Sequence, residues 1–387
     1  MLPFEYAVRH LGRSPLRLFL SVGGAALVVL LALVSVGFVR GMQAALGTSG
    51  RADNVMLMGA GSEESVERSE ISPQVAEIVA AEVDGIALAM GTPLVSPQVH
   101  VALPVGDDAS GEEIVCVFRG VTAAAFAVHP QVRVVEGRAP DPGTDEVLLG
   151  REVAAALGRG GLGHRIGDEI TLDGRRLPIV GLMEAPGAVF EGEIWMPLAS
   201  LKMATQRTTD SCVIVGLAPE GDPSDLEAFA AIRIDLELVA LRESDYFAAL
   251  GQFLAPVRWL VSATAALIGL GGLLGGIIVL DAAFAARVRE FGTLQALGYR
   301  RGPIVWSLVQ ESLLASLAGG LLATGAALLL IDGASVRSSM GAFAIRIDLA
   351  TIGMALCVGL ALGVIGALVP AARCLRLSIP VALRSVA

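Results

Sequence analysis

Few residue types in this chain could do chemistry, and their spacing excludes the common kinds. The four histidines, His10, His100, His129 and His164, stand in unrelated contexts. None has a partner at the separation a metal ion needs, so each reads as a lone surface histidine and no metal site is expected. There is no H-E-x-x-H and no G-x-S-x-G, hence no zinc hydrolase helix and no nucleophile elbow. There is no G-x-x-x-x-G-K-[ST], so the sequence holds no phosphate-cradling loop of its own. Gly269-Leu-Gly-Gly-Leu-Leu-Gly-Gly276 imitates one, but it sits inside an apolar run with no strand before it. Its pairs Gly271/Gly275 and Gly272/Gly276, with Gly359/Gly363 further on, are four apart, a spacing that lets helices approach closely in lipid. No catalytic residue and no cofactor of this chain is expected.

Four cysteines remain. Cys357 lies in an apolar run and Cys374 in a basic tail. Cys116 and Cys212 each lie in a strand-like stretch of the middle section. If that section is exported they are candidates for a disulfide; the competing reading is two buried thiols in adjacent strands.

The stretch that draws attention is Arg287-Val-Arg-Glu-Phe-Gly-Thr-Leu-Gln-Ala-Leu-Gly-Tyr-Arg-Arg-Gly-Pro-Ile304, charged and flanked by two apolar runs. A helix from Asp281 to Leu297 would put Phe291, Leu294 and Leu297 on one face and Arg287, Glu290 and Gln295 elsewhere. Gly298 suits the left-handed position that ends a helix, and Pro303 the start of the next. The expectation is a rigid elbow that docks another protein. The competing reading is a plain loop whose arginines only fix topology.

The elements around this stretch follow from composition. Of 387 residues, 54% are hydrophobic and only 17% charged. Soluble domains carry about a quarter charged residues, so this is a membrane protein. The apolar residues gather into four spans, 18–40, 256–280, 304–331 and 349–370, each long enough to cross roughly 30 Å of hydrocarbon. The first run is too long for a signal peptide, which is the alternative at that end. Residues 1–17 form a basic amphipathic segment, with Arg9 and Arg13 on a membrane-surface helix. Short loops carry Arg287, Arg289, Arg300 and Arg301 on the same side as both termini, against Arg337 and Arg346 in the loop 332–348. That bias puts both termini, the elbow 281–303 and the tail 371–387 in the cytoplasm, and section 41–250 outside. The net charge of −10 makes nucleic acid an unlikely partner, and the acids of section 41–250 read as a solvated face.

That section has α/β texture. Val55–Met58, Glu113–Val121 and Asp210–Leu217 read as strands, and the two prolines in Leu94–Val105 suggest an edge strand. Ser72-Pro73 and Asp222-Pro223 open helices. Within it, 132–206 reads as an inserted β-rich subdomain, with a hairpin at Asp173-Gly174. The fold class is four transmembrane helices plus a large extracytoplasmic α/β domain containing that subdomain.

Glu290-Phe-Gly-Thr-Leu-Gln-Ala-Leu-Gly298, with Glu311 and Gly319-Gly320 following, resembles the signature of the FtsX/MacB-type ABC transporter permeases, approximately E-[IF]-G-x-[LM]-[RK]-A-[LI]-G. Gln295 stands where a basic residue is usual. Pro370-Ala-Ala-Arg and Ile379-Pro-Val-Ala-Leu-Arg384 are similar to the family's closing segment, without its glutamate. Asp145–Gly150, Val180-Gly-Leu and Glu193–Leu198 resemble its outer subdomain. The resemblance implies a homodimer, or a heterodimer with a related permease, in a bacterial inner membrane. It also implies a separate cytoplasmic ABC ATPase that binds the ATP and Mg²⁺, and it leaves room for a periplasmic adaptor. Coupling residues would be Glu290, Gly292, Leu294, Ala296, Leu297 and Gly298, working by mechanotransmission. The activity implied is export or extraction of a lipid, lipoprotein, peptide or drug-like substrate. The alternatives are a non-transporting signal transmitter acting on a cell-wall hydrolase or an antibiotic response, and, without motif support, an enzyme or receptor using the outer domain alone.

Overall fold

The computed structural model describes residues 15–106, 113–157, 165–338, 341–376 and 380. The surface helix with Arg9 and Arg13 lies outside them, as does most of the basic tail. The chain divides into two units, one holding the residues up to Arg40, Pro256–Ala334 and those from Ile345 on, the other Gly41–Ala255 with Ser335–Ala344.

Helix α1 (Pro15–Ser49) carries the first apolar run and belongs to both units. The α/β unit then follows as β1 (Asn54–Gly59), α2 (Val75–Glu82), β2 (Val95–Gly106), β3 (Glu113–Val121) and α3 (Ala124–Val128). Next come β4 (Arg133–Gly137), β5 (Val147–Gly150), α4 (Arg151–Leu157), β6 (Glu169–Leu172), β7 (Arg175–Glu184) and β8 (Glu193–Pro197). It closes with α5 (Leu198–Thr205), β9 (Cys212–Gly216), α6 (Pro223–Ile232), β10 (Leu238–Arg242) and α7 (Glu243–Phe253). Asp222 caps α6 by accepting from the Ser224 amide at 2.9 Å, with Pro223 at its first position.

The ten strands form one sheet, ordered β10-β1-β9-β2-β3-β8-β5-β7-β4, and β6 pairs with both β7 and β2. Every residue of β1 and β9 is buried because both faces are covered. Val55, Leu57, Val213 and Val215 meet Val75, Val79 and Leu226 of α2 and α6 on one face. Met56, Met58 and Ile214 meet Tyr246, Phe247 and Leu250 of α7 on the other. The Asp173-Gly174 hairpin forms as expected, with φ of 47° and 77°, the left-handed pair of a type I′ turn.

Three expectations change. β2 is not an edge strand but central: Val95–Gln98 pair with β9 and Val99–Gly106 with β3. Each half therefore has one partner along most of its length, and a proline's missing N–H is tolerated where it faces away from that partner. The segment 132–206 is β-rich but is not a separate body. Its β8 runs parallel to β3, and β6 touches β2 at Gly106↔Thr171, so the pairings β2-β3-β8-β5-β7-β6 close a ring around Val99, Phe118, Ile170 and Ile194. The Cys116–Cys212 disulfide does not form, and both residues are buried thiols. Cys212 lies opposite Gln98 and Cys116 opposite Leu103. Five steps along β2 put the two thiols on opposite faces and roughly 16 Å apart along the strand, beyond the reach of a disulfide.

The membrane unit contains α8 (Ala255–Ala285), α9 (Val288–Ala296), α10 (Arg301–Leu330) and α11 (Leu349–Cys374). The hairpin β11 (Ser335–Ser338) and β12 (Gly341–Ala344) belongs to the other unit. Helices α1, α8, α10 and α11 are each long and apolar enough to cross a membrane. Glycines set the packing. At Gly319 of α10 a Cβ would stand 2.5 Å from the Val22 carbonyl oxygen of α1, a backbone atom that cannot rotate away. Gly319→Val should push α1 and α10 apart and cost about 1–3 kcal/mol, seen as a lower unfolding midpoint in detergent.

Candidate coupling site at the helical elbow

Helix α8 does not run on to Leu297. It stops at Ala285, the chain turns at Ala286 and Arg287, and α9 starts afresh at Val288. The turn goes with the place of Arg287, whose side chain is buried and not on an exposed face. Its Nη1 donates to Glu311 Oε2 of α10 at 2.9 Å and its Nε to Glu290 Oε2 at 3.3 Å. The guanidinium stands 5.3 Å from the centre of the Phe291 ring. A guanidinium shared by two carboxylates and a ring is a firm tether, because charge-assisted bonds strengthen where water is excluded.

An apolar cluster completes the anchor. Phe284, Phe291, Ile304, Leu308, Ala371 and Leu375 are buried together, and Leu294 packs against them. The cluster joins α9 to the adjoining ends of α8, α10 and α11. Helix α9 ends in a Schellman motif: the Tyr299 amide donates to the Leu294 carbonyl at 3.1 Å and the Gly298 amide to that of Gln295 at 3.0 Å. Gly298 has φ of 93°, which explains the glycine.

The six expected coupling residues thus divide. Gly292 is buried and Leu294 half-buried, both facing the bundle. Glu290 is exposed and holds Arg287. Ala296, Leu297 and Gly298 are exposed at the tip, with Leu297 72% exposed. Leu297 does not share the buried face of Phe291 and Leu294.

The glycines of the spans divide too. A Cβ on Gly272 would stand 2.5 Å from Val28, one on Gly359 2.5 Å from Val29, and one on Gly363 would run into Ser316. Gly271, Gly275 and Gly276 meet nothing within 4 Å. Among the described residues no cluster of metal-ligating side chains occurs.

The α/β unit holds a second polar assembly that sequence reasoning passed over. Arg119 of β3 is buried; its Nε and Nη2 donate to the two oxygens of Glu193, each at 2.7 Å, and its Nη1 to Gln98 Oε1 at 2.7 Å. Trp195 Nε1 donates to the same Glu193 at 2.8 Å. His100 and His129 are buried, not on the surface, and burial holds both imidazoles well below the usual histidine range, hence neutral. Glu193 and Glu243 are buried as well, so the acids of this unit are not all a solvated face. An arginine in the middle of the apolar strand Ile114–Val121 was the available signal.

Burial pushes the Glu243 carboxyl up to about 7. A raised folded-state value means that its contribution to stability is present below the unfolded value near 4.5 and is lost as pH rises through 7. Stability of this unit should therefore fall by about 3 kcal/mol as pH rises from about 4.5 to about 7 and stay level above, and Glu243→Gln should flatten that slope in urea titrations.

Comparison with known proteins agrees with this architecture. The family model described as a MacB-like periplasmic core domain matches residues 18–231, and that of the FtsX-like permease C-terminal region matches 259–379. Among solved structures, the periplasmic region of MacB from Actinobacillus actinomycetemcomitans is similar with a TM-score of 0.40 at 11% identity, over 52% of this chain and 92% of that one. The extracellular domain of the noncanonic ABC-type transporter YknZ from Gram-positive bacteria gives 0.39 at 15% identity, over 49% and 99%. No curated protein matches the chain. With one family model covering more than half of its residues and a second covering most of the remainder, the chain belongs to the FtsX/MacB-type ABC transporter permeases.

Proposed function

We propose that this permease couples ATP hydrolysis by a cytoplasmic ABC ATPase to movement of its α/β domain on the far side of the bacterial inner membrane. It works as a dimer, by mechanotransmission, in the export or extraction of a lipid, lipoprotein, peptide or drug-like substrate. The observation that carries this reading is the build of α9. Its inner face is locked to three spans by Arg287, Phe291 and Leu294, while its tip presents Ala296, Leu297 and Gly298 to solvent. A force applied to an anchored tip reaches the spans, whereas a loop serving topology alone would need neither the buried ion pair nor the Schellman stop. The excess of arginines on the elbow and near both ends of the sequence supports a cytoplasmic elbow.

The test is the ATPase rate of the reconstituted complex. Leu297→Asp places a charge on the exposed tip without touching the anchor and should weaken ATPase binding at least about tenfold, the scale of a lost interface hot spot. Gly298→Pro removes the amide that bonds Gln295 and should uncouple as well. Unchanged stimulation of hydrolysis in both variants would overturn the docking role of the elbow.

A further inference from the structure

A cavity of about 260 Å³ lies inside the α/β unit between the 3-10 turn Val66–Arg68 and α7. Exposed Glu64, Arg68 and Phe253 mark its mouth, and Arg119, Glu193 and Glu243 stand in its wall. The charges in that wall do not balance locally. Arg119 is matched by Glu193 in a two-pronged pair. Glu243 is 1% exposed, and among the described residues its donors are neutral, Asn54 Nδ2 at 2.8 Å and the Arg51 amide at 3.2 Å. The one ionisable cation within 4 Å of it among the described residues is His129, whose Nδ1 is 3.6 Å away. Burial beside Arg119 and Arg51 keeps that ring neutral. The Arg51 side chain is engaged by Asp53. A carboxylate buried without a dedicated cation is costly unless a proton or another cation joins it.

The rest of the cavity suits an organic cation better than a proton alone. Tyr246, Phe247 and Phe253 line it, and aromatic faces attract ammonium groups. Glu64 and Glu67 at the rim add negative charge against the single Arg68. The volume admits a molecule the size of choline. We propose that the α/β domain binds a small organic cation, an amine or quaternary ammonium ion, in this cavity, with Glu243 as counter-ion and the rings of Tyr246, Phe247 and Phe253 as its aromatic wall.

The position gives such binding a consequence. Glu243 is the first residue of α7, and α7 is followed after one residue by α8. Gly50 directly follows α1 and packs so closely that a Cβ there would stand 2.7 Å from Ser244 Cα. In the chain, the cation site thus falls where one span is left and the next is entered.

The test uses the full chain in detergent with Trp259→Phe and Trp306→Phe, which leaves Trp195 as the only tryptophan to report on the cavity wall. Choline should change its fluorescence saturably at pH 8. The neutral isostere 3,3-dimethylbutan-1-ol should bind at least about tenfold more weakly, the worth of one charge-assisted contact. Glu243→Gln should lose about the same factor, and its choline affinity should be flat between pH 6 and pH 8 where that of the parent rises. Other titratable groups nearby, His100, Cys212 and Tyr246, are held outside this window by burial. An unfolding midpoint of Glu243→Gln at pH 6 no lower than the parent's shows that the fold is intact. Phe253→Ala, at the exposed mouth, should weaken choline several-fold and serves if Glu243→Gln does not fold. Absence of saturable choline binding, equal binding of the alcohol, or unaltered affinity in both variants overturns the proposal.

Discussion

Arg119→Ala is expected to cost the α/β unit about 3–5 kcal/mol, the usual penalty for breaking a buried ion pair from one side. Arg119 and Glu193 are both at most 4% exposed, and three hydrogen bonds of 2.7 Å leave from the guanidinium. Loss of the arginine would leave Glu193 with only the indole of Trp195, and Gln98 with the longer bond to His100 at 3.3 Å. The guanidinium also stacks 4.9 Å from the centre of Phe190 and 5.7 Å from that of Trp195, so a cavity adds to the charge term. Glu193→Gln should cost less, since an amide oxygen in the place of Oε2 still accepts from Arg119 Nε and Trp195 Nε1, and only the bond from Nη2 is lost. The double change Arg119→Met with Glu193→Gln should recover part of the loss, because no unpaired charge remains. Urea titration of the full chain, read from Trp195, checks the ordering. If Arg119→Ala and the double variant unfold alike, the pair is not the source of the effect.

The second large effect is expected at the elbow. Arg287→Ala should abolish stimulation of the partner ATPase while leaving the ATPase bound. Glu311 would keep its place in α10 without the cation bonded at 2.9 Å, and Glu290 and the Phe291 ring would lose theirs. Helix α9 would then lose its ionic tether to α10 and lean on its apolar contacts, and motion at the tip would reach the spans weakly. The tip itself, Ala296 to Gly298, is exposed and keeps its Schellman stop, so it should still dock. Arg287→Lys should rescue in part, since an ammonium keeps the charge but not the planar fork that reaches two carboxylates. Leu297→Asp has the opposite signature, lost binding and not silent binding. Copurification and ATPase rates measured on the same preparations separate the two. Loss of binding in Arg287→Ala would show that anchor and docking surface are one.

The stop of α9 at Gly298, the start of α6 at Asp222-Pro223 and the turn at Asp173-Gly174 were legible because each rests on neighbouring residues and on conformations that few side chains tolerate. The four spans were legible for a similar reason, since lipid demands a long unbroken apolar run whatever packs beside it. Such local rules sufficed for the membrane class and for the position of the elbow.

Partnerships between distant residues were another matter. Arg287 and Glu311 are 24 residues apart, and Arg119 and Glu193 are 74 apart. Arg119 in an apolar strand and Glu311 in an apolar span were local hints of burial, but which residue each one pairs with was visible only once the elements had met. β2 looked like an edge because its prolines are a local signal, whereas its central place comes from pairing with β9, far along the chain, as well as with the adjacent β3. The thiols of Cys116 and Cys212 lie in nearby strands, yet an odd number of steps along β2 puts them on opposite faces. Sequence alone therefore determined the spans, the caps and the place of the elbow in the chain. The tertiary structure decided which charges go inside and what they hold, because burying a charge depends on a partner that only the fold brings near.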